Sequence, residues 1–443
     1  MMDAKDYIKN TLAWNRLYRG TRYIRSALWF VPFVAIVVVV AITPFVRRLD
    51  TWLGWKLLGL DLDGVRALYQ TIITLTLSFV VFTFGSLLVA IQVASGQLTP
   101  RIIATILLRD KVVRFSVGLF VFSLVFSVSA LNRSHEGLHQ LVAFITVLLG
   151  IGCMAAFLFL IDYSARLLRP VSIVAIVGDD GMAVIDSVYP VRSDNPDDEA
   201  TIAAHEELGP PGRIVRHEGT SGVVLAVDLA SLVALARRFD CVIEFVPKVG
   251  EFHASQEPLF ILYGGRGTPS DKQLQATVAF GIERTLEQDP MFAFRILVDI
   301  AIKALSPAIN DPTTAVVAID QIHRLLRELG RRELRGEMIR DRRGQVRVIF
   351  RTPNWEDFVH LACNEIRLCG AGSVQVARRM RAMLEGLARS FPEQRRLALH
   401  KEIDLLDRTL EITLRLPEDI ALAKIPDLQG LGVSAASEPP RRP

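Results

Sequence analysis

A group of charged and polar side chains lies between residues 284 and 311, and their types could hold an ion or a ligand. This charged cluster comprises Arg284, Asp289, Asp299, Lys303, Ser306, Asn310 and Asp311. One hypothesis places a ligand at the N-terminus of the helix that starts at Pro312, because helix N-termini attract anions. An enzyme would need a pocket that gathers Asp299, Lys303 and Asp311. The simpler alternative is a network of ion pairs and helix caps without a ligand.

Two capped helices are predicted to position the charged cluster. The dipeptide Asp289-Pro290 is typical of a helix start, because an aspartate side chain caps free N–H groups and proline fits the first turn. The dipeptide Asp311-Pro312 starts a second helix, which runs to about residue 329. A tight turn joins the two helices.

A second set of residues, all uncharged, recurs on one face of an apolar segment. This polar stripe consists of Thr71, Thr74, Ser78, Gly85 and Gln92. Their spacing fits one face of a helix, and Thr76 and Thr83 are predicted to form a neighbouring row. Small and hydroxyl-bearing residues let helices approach closely, so the stripe could be a helix–helix contact. The alternative is that it lines a water-filled path in an oligomer.

Four apolar segments are long enough to cross a lipid bilayer. They cover about residues 24–46, 68–95, 112–131 and 138–162, and about 20 apolar residues in a helix suffice to span the hydrocarbon core. The polar stripe therefore lies on the second span. No acidic, lysine, arginine or histidine residue lies in the middle of a span. This argues against a proton-coupled carrier, because such carriers place ionisable groups near the midplane.

Basic residues in the flanks predict the orientation of these spans. Residues 1–163 contain 15 Lys and Arg against 8 Asp and Glu, and the rest of the chain contains 36 against 39. The flanks before span one, between spans two and three and after span four hold 12 Lys and Arg, whereas the opposite flanks hold 5. Because cytoplasmic loops carry the basic excess, both termini are predicted to be cytoplasmic.

The second span ends in a motif, residues 93–101, that predicts a turn at the inner membrane surface. Gly96 can end one helix and Pro100 can begin the next. This places Gln97 and Arg101 at that surface. A structural turn is the favoured interpretation.

The composition and the motifs of the chain exclude several classes of protein. The mean hydropathy of +0.33 is high for a soluble chain, and four cysteines are too few for a disulfide framework. The slightly acidic second part argues against nucleic acid as a partner, because its phosphates attract basic surfaces. The chain has no HExxH, Cys-x-x-Cys, P-loop or Gly-x-Ser-x-Gly motif. We therefore predict no catalytic residue, no metal site and no cofactor.

The sequence predicts an α-helical multispan membrane domain with four transmembrane helices, followed by an α+β cytoplasmic domain. The predicted parts are an interfacial basic helix at 1–23, the membrane domain at 24–165, a connecting helix and linker at 166–212, a small β-domain at 213–264, an α+β and helical domain at 265–426 and a disordered tail at 427–443. The arginine-rich segment 331–343 is predicted to be a solvated loop.

The small β-domain resembles the barrel-sandwich hybrids of biotinyl, lipoyl and efflux-adaptor domains. The resemblance rests on Gly250, Glu251, Phe252, Pro258 and Leu259. The second glycine of that pattern is missing, and no lysine hairpin is present, so covalent cofactor carriage is not expected. A β-module used for packing or assembly is the preferred interpretation.

Three motifs, VASGQLTPR at 93–101, RTLEQDP at 284–290 and ALSPAINDPTTA at 304–315, resemble a bacterial family of predicted membrane proteins catalogued as domain of unknown function 2254. The resemblance covers about residues 20–420. It implies a multispan membrane protein with a cytoplasmic domain. The predicted location is the inner membrane of a bacterium. It assigns no activity and no catalytic residue.

The resulting hypothesis is an oligomeric ion channel or transport protein with a cytoplasmic regulatory or assembly domain. Its predicted partners are the lipid bilayer and further copies of the chain. The alternative is a membrane-anchored regulator or scaffold without a pore. An enzyme is not expected.

Overall fold

The computed structural model describes Trp14, Gly59 and residues 30–53, 61–97, 110–134, 139–167, 169–193, 210–334 and 338–432. The chain divides into two compact units. The helical unit is Thr21–Ser172, and the C-terminal unit combines Met1–Gly20 with Ile173–Pro443.

The helical unit contains four long apolar helices, as the sequence predicts. They are α1 (Phe30–Leu53), α2 (Leu62–Gln97), α3 (Lys111–Asn132) and α4 (Gln140–Leu167). Each is long and apolar enough to cross a membrane. Helix α3 packs against α1, α2 and α4, and it therefore forms the centre of the bundle.

Polar residues at the ends of the helices fix how the bundle is assembled. Asp110 caps α3 by accepting a hydrogen bond from the Val113 N–H at 3.0 Å, and it accepts a second one from the Tyr163 hydroxyl of α4 at 2.5 Å. Asp50 of α1 accepts a hydrogen bond from the backbone N–H of Leu141 at 3.0 Å. Because a helix start leaves free N–H groups, Asp50 stabilises the start of α4 and joins it to α1.

The C-terminal unit begins with a helix that Pro170 separates from α4. Its helices are α5 (Pro170–Val188), α6 (Leu229–Phe239), α7 (Asp271–Gln275), α8 (Pro290–Ala304), α9 (Pro312–Leu329), α10 (Trp355–Gly370), α11 (Val374–Ala388), α12 (Glu393–Thr413) and α13 (Pro417–Ala423). Its strands are β1 (Arg213–Arg216), β2 (Gly222–Val227), β3 (Val242–Phe245), β4 (Phe252–His253), β5 (Pro258–Tyr263), β6 (Val278–Gly281), β7 (Met338–Arg340) and β8 (Val346–Phe350).

The described strands form two open sheets and no closed barrel, so the predicted barrel-sandwich arrangement is not confirmed. One sheet has the order β1-β5-β3-β8-β7, and the other has the order β4-β2-β6. Strand β3 pairs in parallel with β8, with Ile243 opposite Val348. The larger sheet therefore takes strands from well beyond residue 264, and its buried face packs on α6 through Leu232 and Leu235.

Helices α8 to α12 form a layer with its own buried aromatic core. Helix α8 packs against α9 and α10, and α11 packs against α9 and α12. Phe294 of α8 meets Phe358 of α10 edge to face, with ring centroids 5.3 Å apart. Trp355 donates from its indole N–H to the Arg395 carbonyl at 2.9 Å, while the guanidinium of Arg395 lies 5.0 Å from the indole ring. These contacts fix α8, α10 and α12 around one core.

The two predicted terminal segments lie partly outside the described residues. Of the interfacial helix, only Trp14 is described, and it packs against the buried cluster of Leu225, Ala226 and Ala279. Residues 427–432, which were predicted to be disordered, form a turn in which the Asp427 carboxylate accepts hydrogen bonds from three backbone N–H groups. Such local capping of a turn by aspartate is not visible in the composition.

Candidate functional site

The polar stripe lies on the exposed face of α2 within a single copy of the chain. All five residues, Thr71, Thr74, Ser78, Gly85 and Gln92, are exposed. The three hydroxyls donate to carbonyls one turn earlier on the same helix, at 2.8 to 2.9 Å. The stripe is therefore not a contact between helices of the same bundle.

The second row of hydroxyls on α2 faces the interior of the bundle. Thr76 and Thr83 are buried, and their hydroxyls, like that of Ser123 on α3, have no hydrogen-bond partner among the described residues. The prediction that this row neighbours the stripe was wrong, because about 100° of rotation per residue places Thr76 roughly opposite Thr74 and Ser78. Thr76 and Thr83, and not the polar stripe, therefore lie in the contact between helices of the bundle.

The predicted turn at the inner membrane surface lies outside the described residues. Pro100 and Arg101 are not described, and of Gln97 only its place at the end of α2 is described. Their assignment to that surface stays a prediction.

Asp289 is the most deeply buried member of the charged cluster. It caps α8, as the sequence predicts, because its Oδ1 accepts a hydrogen bond from the Phe292 N–H at 3.1 Å. Its Oδ2 is buried without a partner among the described residues. Burial raises the pKa of Asp289 to about 6, although the nearby Arg284 guanidinium acts in the opposite direction. The carboxyl can therefore gain or lose a proton close to neutral pH.

The turn between β3 and β4 covers the Asp289 carboxylate. Gly250 in this turn has a φ of +86°, and a Cβ atom added there would lie 2.2 Å from Oδ2 of Asp289. The neighbouring Gln288 accepts a hydrogen bond from the Val227 N–H of β2 at 3.0 Å through its Oε1. The motif at 284–290 thus joins the start of α8 to the smaller sheet. Sequence reasoning assigned Gly250 to the turn of the barrel-sandwich pattern and missed its contact with Asp289.

The motif at 304–315 forms a compact turn between α8 and α9. Asp311 caps α9 by accepting hydrogen bonds from the Thr314 N–H at 3.1 Å and the Thr314 hydroxyl at 2.5 Å. Asn310 has a left-handed backbone with a φ of +50°, a conformation that asparagine tolerates better than most residues. Ser306 donates from its hydroxyl to the Lys303 carbonyl at 2.7 Å. Capping and turn formation account for these residues.

The structure does not gather the charged cluster into one site. Asp299 pairs with Arg295 one turn earlier, and Arg295 also holds Glu365 of α10 at 2.6 Å. Lys303 is exposed at the end of α8, and its ammonium forms no ion pair within the described segments. Arg284 is exposed beside the buried Asp289. Among the described residues, no group of three or more His, Cys, Asp and Glu side chains could hold a metal ion.

Comparison with known proteins relates the chain to membrane proteins. The family described as "Predicted membrane protein (DUF2254)" matches residues 25–386. The uncharacterized protein Rv1290c of Mycobacterium tuberculosis is 23% identical over 406 residues, which is 88% of this chain and 77% of the relative. The uncharacterized protein Mb1321c of Mycobacterium bovis matches with the same identity and coverage. No solved structure matches the chain.

Proposed function

We propose that this chain, which belongs to the DUF2254 family of predicted membrane proteins, is an oligomeric pore or transport protein in which α2 lines the path. The path would form between copies, with the C-terminal unit regulating it or assembling the oligomer. The proposal further places the protein in the inner membrane of a bacterium with both termini in the cytoplasm, from the distribution of basic residues in the flanks.

The exposure of the polar stripe is the observation that carries this proposal. A helix surface that faces lipid is normally apolar, and α2 also has exposed apolar side chains away from the stripe, such as Leu77 and Phe84. The stripe differs from that surface because its hydroxyls and the Gln92 amide bring polar atoms to one face. Uncharged polar side chains are suited to line a path for water or ions.

Gly85 supports contact with a second copy rather than with lipid alone. It is exposed near the middle of α2, and a Cβ atom added there would meet nothing within 4 Å. Small residues on exposed helix faces allow another helix to approach closely in a membrane. The same face could then contribute both to the contact between copies and to the wall of a path.

Flux through the reconstituted protein tests the proposal. The purified full chain in liposomes is compared with empty liposomes for K⁺, Na⁺ and Cl⁻ flux, together with the variants Ser78→Phe and Leu77→Phe. We expect flux above the empty control, at least a tenfold loss for Ser78→Phe and little change for the adjacent Leu77→Phe. Absence of flux for all three ions contradicts the pore and favours the alternative, a membrane-anchored regulator or scaffold.

A further inference from the structure

A hollow of about 350 Å³ on the C-terminal unit is lined mainly by charged side chains. The lining residues are Met182, Asp320, His323, Arg324, Arg327, Glu328 and Arg331. Five of them, Asp320, His323, Arg324, Arg327 and Glu328, share one face of α9 because they recur at intervals of three and four residues. Arg331 follows just after the end of this helix. The volume lies in the range of small-molecule sites.

Other arginines already bind the two carboxylates of the hollow. Arg379 of α11 donates to Asp320 at 2.6 Å. Glu328 accepts hydrogen bonds from Arg332 at 2.9 Å and from Arg192 at 2.7 Å. Neither carboxylate is therefore left to balance a further positive charge in the hollow.

Within the part of the chain that the structure describes, two guanidinium groups of the hollow have no carboxylate partner. Arg324 is paired with Asp179 of α5 at 2.7 Å. Arg327 and Arg331, in contrast, form no ion pair with any residue that the structure describes. Because an arginine stays charged at all physiological pH values, the hollow holds two positive charges that lack a counter-ion among the described residues.

Both ring nitrogens of His323 face guanidinium groups. Nη2 of Arg327 lies 3.3 Å from its Nε2, and Nη2 of Arg379 lies 3.3 Å from its Nδ1. A neutral imidazole has one accepting nitrogen and one N–H, whereas guanidinium groups only donate. In one of these two contacts, therefore, a guanidinium N–H faces the N–H of the ring. An anion beside the ring would accept hydrogen bonds from both of these N–H groups.

We propose that this hollow binds a phosphate-bearing anion through Arg327, Arg331 and the imidazole of His323. Planar guanidinium groups hold phosphate oxygens with two parallel hydrogen bonds, and the anion supplies the acceptor that the imidazole and Arg327 lack. The phosphate is carried either by a soluble compound or by an anionic lipid headgroup. This site is independent of the pore proposed above, and it stands if the protein conducts no ions.

Calorimetric titration of the full-length protein in detergent tests the site. Inorganic phosphate and pyrophosphate serve as soluble probes, and mixed micelles with phosphatidylglycerol, compared with phosphatidylcholine, serve as the lipid probe. We expect Arg327→Gln and Arg331→Gln each to weaken binding at least tenfold. The control is Arg415→Gln, which makes the same change at an exposed arginine outside the hollow and is expected to bind like the unchanged protein.

Each outcome of this titration decides the proposal. Binding of pyrophosphate that depends on Arg327 and Arg331 supports a soluble ligand. If only the binding of phosphatidylglycerol depends on these two arginines, the ligand is a lipid headgroup. Because Arg331 is exposed, Arg331→Gln keeps the test available if Arg327→Gln disturbs folding. No binding of any probe, or an equal loss in Arg415→Gln, overturns the proposal.

Discussion

Gly250 and Asp289 are in direct contact: the backbone of the β3–β4 turn closes over the buried carboxylate, and a Cβ atom at Gly250 would lie 2.2 Å from Oδ2. The contact joins the larger sheet, through the turn after β3, to the start of α8. It also removes Oδ2 from water, which is the physical cause of the raised pKa of Asp289. A glycine 39 residues earlier in the chain thus contributes to the raised pKa of Asp289.

Gly250→Ala is predicted to destabilise the protein by about 3 kcal/mol. A side chain at positive φ costs about 1 kcal/mol, and the clash with Asp289 adds a cost typical of overpacking. The matched control is Gly264→Ala, since Gly264 also has a positive φ of +63° but nothing within 4 Å of an added Cβ. Thermal unfolding in detergent should give a midpoint several degrees lower for Gly250→Ala than for Gly264→Ala. Equal midpoints would contradict the contact.

Asp289→Asn is predicted to stabilise the protein at neutral pH but much less at pH 4. The folded-state pKa of Asp289 is about 6, above the usual 3.8. The unfolded chain therefore loses this proton more readily, and stability decreases as pH rises from about 4 to 6. Asparagine keeps the cap and does not ionise. The difference in unfolding free energy between the two proteins should grow by about 2 kcal/mol between pH 4 and 7.5, and a difference that stays constant with pH would refute this explanation.

Arg332→Met is predicted to cost about 3 to 5 kcal/mol, as is typical when one partner of a buried ion pair is removed. Arg332 is buried and donates to the Tyr189 carbonyl at 3.0 Å as well as to Glu328. The change removes the hydrogen bond to the Tyr189 carbonyl and leaves Glu328 with Arg192 as its remaining arginine partner. The adjacent Arg331 is exposed, so Arg331→Met should change stability by less than about 0.5 kcal/mol. Chemical unfolding measures the unfolding free energy of both variants. Similar losses in the two variants would contradict the structural role of Arg332.

His323→Gln is predicted to make the protein less sensitive to acid. Burial, together with Arg379 and Arg327, lowers the pKa of His323 from 6.5 to about 4. The unfolded chain binds this proton more readily than the folded chain, so stability is lost as pH falls below 6.5. Between pH 7 and 5 the unchanged protein should lose about 2 kcal/mol more unfolding free energy than the variant. If the unfolding free energies of the two proteins changed equally with pH, the neutral, half-buried imidazole would be contradicted.

Local sequence signals predicted the elements of the fold well. Apolar segments of sufficient length predicted the four spans, and Asp-Pro dipeptides predicted the caps of α8 and α9 through Asp289 and Asp311. These features depend on neighbouring residues only. A helix cap needs an aspartate at one position, and a span needs about 20 apolar residues.

Features that depend on distant residues could not be predicted. The parallel pairing of Ile243 with Val348 joins segments more than 100 residues apart, and no local pattern specifies it. The segment 331–343 was predicted to be a solvated loop because it is rich in arginine, but Arg332 is buried. Its charge is tolerated because Glu328, Asp186 and two carbonyl groups surround it. The exposure of the polar stripe likewise required knowing which face of α2 packs on α3.

Labelling of single cysteines on α2 tests the central claim most directly. In a variant without the four native cysteines, Ser78→Cys and the adjacent Leu77→Cys are placed at the same depth, and both positions are exposed in a single copy. The protein is reconstituted in liposomes and treated with a charged, membrane-impermeant thiol reagent. If the polar stripe lines a water-filled path between copies, Ser78→Cys reacts at least ten times faster than Leu77→Cys, which faces lipid. If both positions are equally unreactive, the stripe faces lipid or is occluded, and α2 does not line a pore.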